Sequence, residues 1–112
     1  MRNTKYLINK FLLSQLQQKE LLIECARALY ADTKFSWWRQ LAKGLNISEA
    51  TVRKFLSNGR PSSIPPGIWC DIYEMLEIKG SDACTELCRR MRDIGFVSDF
   101  NPDALNHDQM IF

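Results

Sequence analysis

No stretch of this 112-residue chain approaches the roughly 20 uncharged apolar residues of a membrane-spanning helix. Lys10, Lys19, Glu20, Glu24 and Arg27 interrupt the apolar N-terminal third, so a soluble protein without a membrane partner is expected. The N-terminus carries basic residues and a short apolar run, Phe11 to Leu13, but lacks the long apolar core and small-residue cleavage site of an exported chain. A cytoplasmic location is the expectation. Histidine is almost missing: His107 is the only one, in an acidic and weakly patterned stretch. There is no Gly-rich phosphate loop, no metal-ligand spacing of the usual kinds and no nucleophile beside a base. These gaps argue against an enzyme, and neither a cofactor nor a metal is expected. Proline and glycine are scarce before residue 59, and β-branched residues are dispersed, so no convincing period-two strand pattern appears. Helices are expected to dominate.

Cysteine is present but not in pairs of tight C-x-x-C spacing. Cys25, Cys70, Cys84 and Cys88 lie in stretches that read as helix, and reduced, mostly buried thiols are expected. Cys84 and Cys88, four apart, could face one metal from a single helical turn with His107 as a third ligand. The same two positions belong to an apolar stripe, which favours core thiols. With 46% hydrophobic residues, the chain can bury one core without staples, so one domain with short arms is the expected organisation.

Positive charge is concentrated rather than abundant. The net charge is only +2, yet residues 34–60 carry Lys34, Arg39, Lys43, Arg53, Lys54 and Arg60 against Glu49 alone. Residues 61–112 carry four basic and nine acidic side chains. A basic centre suits a polyanion, and the acidic C-terminal half should point away from it.

A first helical region is read from about Thr4 to Tyr30, with a break near Ser14, where Ser14 and Gln17 have capping-box spacing. Leu16, Leu22, Ile23, Ala26, Leu29 and Tyr30 are expected on one face. Ser36 is a plausible cap for a short helix over Trp37 to Lys43, and Gly44, Leu45 and Asn46 supply a turn. Ser48 caps a second short helix, with Glu49 at the positive end of its dipole. That helix should end near Ser57, where Asn58 and Gly59 can adopt left-handed geometry. Pro65 or Pro66 starts a helix reaching about Ile78, with Ile68, Ile72, Met75 and Leu76 inward. Gly80 stops it and Ser81 caps the next helix, whose stripe is Cys84, Leu87, Cys88, Met91 and Ile94. Of the adjacent Trp37 and Trp38, one is expected in the core and the other over a neighbouring helix.

The informative constellation is Leu41, Ala42, Leu45, Ile47, Val52 and Phe55, the spacing that two short helices crossing steeply require. Ala42 is small where the second helix passes closest. Asn46 stands where the turn enters the left-handed region, and after glycine it is the most tolerant residue there. Ser48, Glu49, Ala50, Arg53, Lys54 and Ser57 remain outward. Ala50 and the Thr51 methyl suit thymine methyls, Arg53 suits guanine, Lys54 suits a base edge or phosphate, and Ser48 suits a phosphate.

Residues 37–78, including QLAKGLNISEATVRKFLSNGR and the proline-led helix after it, resemble the phage-repressor or Cro-like helix-turn-helix family. The resemblance implies an all-α, compact five-helix domain over residues 14–95. Residues 1–13 are read as an N-terminal helical extension and 96–112 as an acidic C-terminal tail, both outside the resemblance. It implies a sequence-specific double-stranded DNA-binding regulator, usually a repressor from bacteria, phages or mobile elements, acting as a homodimer on a palindromic operator. By position it carries DNA-reading roles to Ser48, Glu49, Ala50, Arg53, Lys54 and Ser57, and a phosphate contact to Arg60; Arg39, Lys43 and Thr51 complete the expected DNA-binding set. Trp38 departs from the pattern by replacing a polar clamp residue.

A lone recognition helix discriminates by roughly 1 to 3 kcal/mol per base contact, which is why pairing of subunits is expected. The stripe Cys84, Leu87, Cys88, Met91 and Ile94 is the first candidate dimer surface, and Leu7, Ile8, Phe11 and Leu12 are the second. The competing reading is a small interaction module, a phage or mobile-element inhibitor or adaptor that binds a protein. Its support is the N-terminal extension and the tail residues Phe96, Phe100, Met110, Ile111 and Phe112.

Overall fold

The computed structural model describes residues 5–31 and 36–99. The fold is mainly helical, with a small two-stranded sheet. In chain order it comprises β1 (Tyr6–Ile8), α1 (Gln15–Leu29), α2 (Trp37–Leu45), α3 (Glu49–Phe55), α4 (Pro66–Lys79), α5 (Asp82–Asp93) and β2 (Val97–Asp99). No described helix is long and apolar enough to cross a membrane.

The helix boundaries follow local chemistry. Ser14 and Gln17 form the expected capping box: the Gln17 amide donates to Ser14 Oγ at 3.1 Å, and the Ser14 amide donates to Gln17 Oε1 at 2.9 Å. Such reciprocal bonds satisfy two of the amide donors left open at a helix start. Ser48 and Ser81 cap α3 and α5 by accepting from the amides of Thr51 and Cys84. Pro66 opens α4, where a missing N–H costs nothing. Gly80, at φ 62°, closes α4 with its amide on the Leu76 carbonyl. Gly95, at φ 82°, ends α5: its amide donates to the Arg92 carbonyl, and the Phe96 amide donates to the Met91 carbonyl. This paired bonding reverses the chain and directs Phe96 into the interior.

One core joins all five helices. Leu22, Cys25 and Ala26 of α1, Leu41 of α2, Val52 of α3, Trp69, Ile72 and Leu76 of α4, and Cys84 and Met91 of α5 are all buried. Trp69 meets Phe96 edge to face, with ring centroids 5.2 Å apart. Trp69 Nε1 donates to Gln18 Oε1 at 3.1 Å, and Gln18 Nε2 donates to the carbonyls of Lys10 and Leu13 at 3.0 and 3.1 Å. A buried amide with every partner in place therefore ties the N-terminal turn to α4. A Cβ at Gly44 would lie 2.5 Å from Tyr30 Oη and 3.0 Å from Met75 Cε, so the ends of those two side chains would have to shift to admit one.

The structure corrects the sequence reading in several places. Tyr6–Ile8 is a strand, not part of a helical extension, and pairs antiparallel with Val97–Asp99 in the register Tyr6 with Asp99, Leu7 with Ser98 and Ile8 with Val97. The Asn9 amide extends the ladder to the Phe96 carbonyl at 2.9 Å. Pairing satisfies a backbone that would otherwise lack partners beside the core. The expected tail likewise starts inside the protein, since Phe96 and Val97 are buried. Residues 100–112, with His107 and the other apolar tail residues, lie outside the described chain.

The inward face of α1 is Gln18, Leu21, Leu22, Cys25, Ala26 and Leu29. Leu16 is exposed, and Ile23 and Tyr30 are only half-buried. Asn58 and Gly59 are not left-handed. Instead Lys19 Nζ reaches from α1 to the Ser57 carbonyl and Asn58 Oδ1, both at 3.2 Å, and the Ser62 amide donates back to the Lys54 carbonyl at 2.9 Å. Trp37 and Trp38 are both half-buried against the core, so neither is the fully buried member expected of the pair.

The expected dimer stripe also belongs to the chain itself. Cys84, Leu87 and Met91 are buried, Cys88 is half-buried, and only Ile94 is 51% exposed. The stripe is the face that α5 packs onto α4 and α1. No disulfide joins the cysteines, of which Cys25 and Cys84 are buried and Cys70 and Cys88 half-buried.

Candidate nucleic-acid interface

The segment from Trp37 to Phe55 is built as two short helices joined by a tight turn. Leu41, Ala42, Leu45, Val52 and Phe55 are buried, and Ile47 is half-buried. The turn residue Asn46 has φ 56° and ψ 44°, the left-handed conformation expected of it. Its amide donates to the Lys43 carbonyl, and the Ile47 amide donates to the Ala42 carbonyl at 3.0 Å. These bonds satisfy the open carbonyls of α2 while the chain turns toward α3. The physical reason is local: a residue with a short polar side chain tolerates positive φ better than any branched one.

Outside this packed seam stands a polar and basic surface. Ser48, Glu49, Ala50, Arg53 and Lys54 of the second helix and its cap are exposed, as are Arg39 and Lys43 of α2 and Arg60 in the following loop. Thr51 and Ser57 are half-buried. The Thr51 hydroxyl lies 2.7 Å from Ser48 Oγ, which also accepts from the Thr51 amide at 3.1 Å. Ser48 Oγ therefore caps the helix with the Thr51 hydroxyl bonded to it, and the carbonyl of Ser57 is taken by Lys19. Lys34 lies outside the described residues.

The ring of Trp38 is the junction of this surface. The Arg53 guanidinium sits 4.7 Å from its centroid and that of Arg39 sits 5.1 Å from it. Arg39 Nε also lies 3.6 Å from Glu49 Oε1, with both side chains half exposed or more. Such an ion pair is weakened by solvent and contributes little to stability. The composition of the segment did not point to this ring as a junction; the available signal was the aromatic residue at a position where the resembling pattern carries a polar one.

Charge elsewhere is disposed differently. On α5, Arg89 pairs with Glu86 and Asp93, Arg90 with Glu24 at 2.8 Å, and Arg92 with Asp99 at 2.9 Å. Hydrogen bonding to Asp99 and then Tyr73 raises the Arg92 pKa further above its ordinary value. Among the described residues, Lys43, Arg53, Lys54 and Arg60 have no carboxylate partner. The basic charge around α3 is thus available to a ligand, whereas that of α5 is spent within the chain. α5 packs on α1, α4 and β2 and makes no substantial packing with α2 or α3.

Burial pushes the thiols of Cys25 and Cys88 up, opposite to the shift a nucleophilic thiol needs. No group of three metal-ligating side chains occurs among the described residues. No protein-family model, curated protein or solved structure matches the chain.

Proposed function

We propose that α2 and α3 form a helix-turn-helix that binds double-stranded DNA in a sequence-specific way, with α3 as the reading helix. The observation that carries this is the split of one short segment into a buried seam, Leu41, Ala42, Leu45, Val52 and Phe55, and an exposed face with uncompensated Arg53, Lys54, Lys43 and Arg60. Arg53 has the planar fork that matches guanine, Lys54 supplies a point charge for a phosphate, and Arg60 can bind a phosphate through its own guanidinium. The left-handed Asn46 supports the same reading, because it sets α3 across α2 with its outer face open. The protein then acts as a transcriptional regulator of the phage-repressor or Cro-like kind, occupying an operator and blocking polymerase.

Recognition of a palindrome requires two copies, their reading helices about 34 Å apart on one face of the duplex. With the α5 stripe buried, the pairing surface best supported is the N-terminal one. Of that group Leu7, Phe11 and Leu12 are exposed, Phe11 at 88%, and Ile8 is half-buried; the neighbouring Leu16 is exposed as well. The same apolar group supports a second reading, an adaptor or inhibitor that uses the fold to hold a protein.

Selection of duplexes from a random library at physiological salt tests the proposal. A recovered consensus with dyad symmetry is expected. Arg53→Ala should relax the choice of sequence, whereas Arg60→Ala should weaken all duplexes alike and flatten the salt dependence. Failure to enrich any sequence would overturn the proposal, and stoichiometric co-purification of a protein without DNA affinity would favour the second reading.

A further inference from the structure

Arg53 is the residue on which sequence choice rests in the DNA-binding reading, and its guanidinium is not loose in solvent. It lies over the Trp38 indole, which α2 holds half-buried against the core. Arg39 lies over the same ring and is drawn aside by Glu49. An unsupported arginine on a helix surface samples many rotamers, and ordering it at an interface opposes binding. An indole face attracts a guanidinium more strongly than a phenyl ring does and keeps its in-plane donors open, because stacking uses the flat side of the fork.

We propose that Trp38 is a positioning residue that holds Arg53 in the orientation for a base edge, so that it governs sequence discrimination more than total affinity. The inference rests on the DNA-binding reading. Without the ring, the Arg53 side chain reaches neighbouring phosphates as easily as a base, and phosphate contacts carry no sequence information. The indole lies against the guanidinium groups of both Arg39 and Arg53, from adjacent helices, and Glu49 offsets the charge of Arg39.

The test compares the affinity ratio of a selected duplex to a random duplex for wild type, Trp38→Leu, Trp38→Phe, Arg53→Ala and the Trp38→Leu/Arg53→Ala double variant. Thermal melting of each protein accompanies the binding series. Trp38→Leu should lower the ratio about tenfold while binding to random duplex changes less than about twofold, and Trp38→Phe should restore most of the loss. In the Arg53→Ala background, Trp38→Leu should have no further effect on the ratio. In the free protein, the Arg53 side-chain protons should carry ring-current shifts that Trp38→Leu removes. Equal loss for Leu and Phe, an undiminished effect in the Arg53→Ala background, or absence of the shifts overturns the role of Trp38 while leaving DNA binding intact. A wild-type protein with no preference among duplexes overturns the DNA-binding reading and this inference with it.

Discussion

The Arg53 guanidinium lies 4.7 Å from the centroid of the Trp38 ring, which links the exposed face of α3 to the first turn of α2. Glu49 belongs to the same cluster through Arg39, 3.6 Å away. Its carboxylate is the one negative side chain in the basic segment 34–60, so it opposes a polyanion directly.

Glu49→Gln should therefore strengthen binding to every duplex. Freeing Arg39 for one more phosphate steepens the slope of log affinity against log salt by about 0.9. Titrations at several salt concentrations measure the slope; an unchanged slope would show that Arg39 stays away from the backbone.

At the turn, Asn46→Ala should destabilise the protein by about 1 kcal/mol, because an alanine at positive φ has no local hydrogen bond to offset its Cβ clash. Asn46→Gly should be neutral or slightly stabilising. Urea unfolding of both variants separates conformational cost from loss of the amide side chain: similar values for Ala and Gly would point to the side chain instead.

Gln18 is the hinge of the N-terminal closure. Gln18→Met keeps much of the shape but leaves the Trp69 indole N–H and the Lys10 and Leu13 carbonyls without their partner. A cost of about 2 to 4 kcal/mol is expected from buried groups left unsatisfied, visible as a large drop in Tm. Loss of under half a kcal/mol would mean that water replaces the amide.

The Tyr6 hydroxyl donates to Glu77, and this bond, with smaller help from burial and the Glu77 charge, raises the Tyr6 pKa well above its ordinary value of 10.0. A folded pKa above the unfolded one means that the stabilisation is complete below about pH 10 and fades as pH rises beyond it. Tyr6→Phe should lower stability near neutral pH and lessen the alkaline decline. Tyr30 and Tyr73 are also raised, mainly by burial, so part of the decline remains. Identical alkaline slopes in the two proteins would rule out the Tyr6 contribution.

Much of the helical framework was legible because its signals are short-range. Serine caps at Ser14, Ser48 and Ser81, the glycine stop at Gly80 and the proline start at Pro66 act within a turn or two of their own position. The seam of α2 and α3 was legible for the same reason: its apolar spacing and its left-handed Asn46 lie within one short segment. The face of α1 was misjudged because its inward first turn is led by Gln18, a polar residue whose burial depends on Trp69, 51 positions away.

Composition and local order alone thus set the helices, the turn at Asn46 and the gathering of positive charge between residues 34 and 60. Tertiary structure decided what the segments at either end of the described residues do and which apolar stripe is interior. Three-residue strands carry too little periodicity to announce themselves, and Tyr6–Ile8 becomes a strand only because Val97–Asp99 arrives beside it. Cys84, Leu87 and Met91 face inward because α1 and α4 are there to cover them. The shelf beneath Arg53 has the same origin: no rule of spacing brings residues 38 and 53 together, and only the crossing of two packed helices puts the guanidinium over the ring.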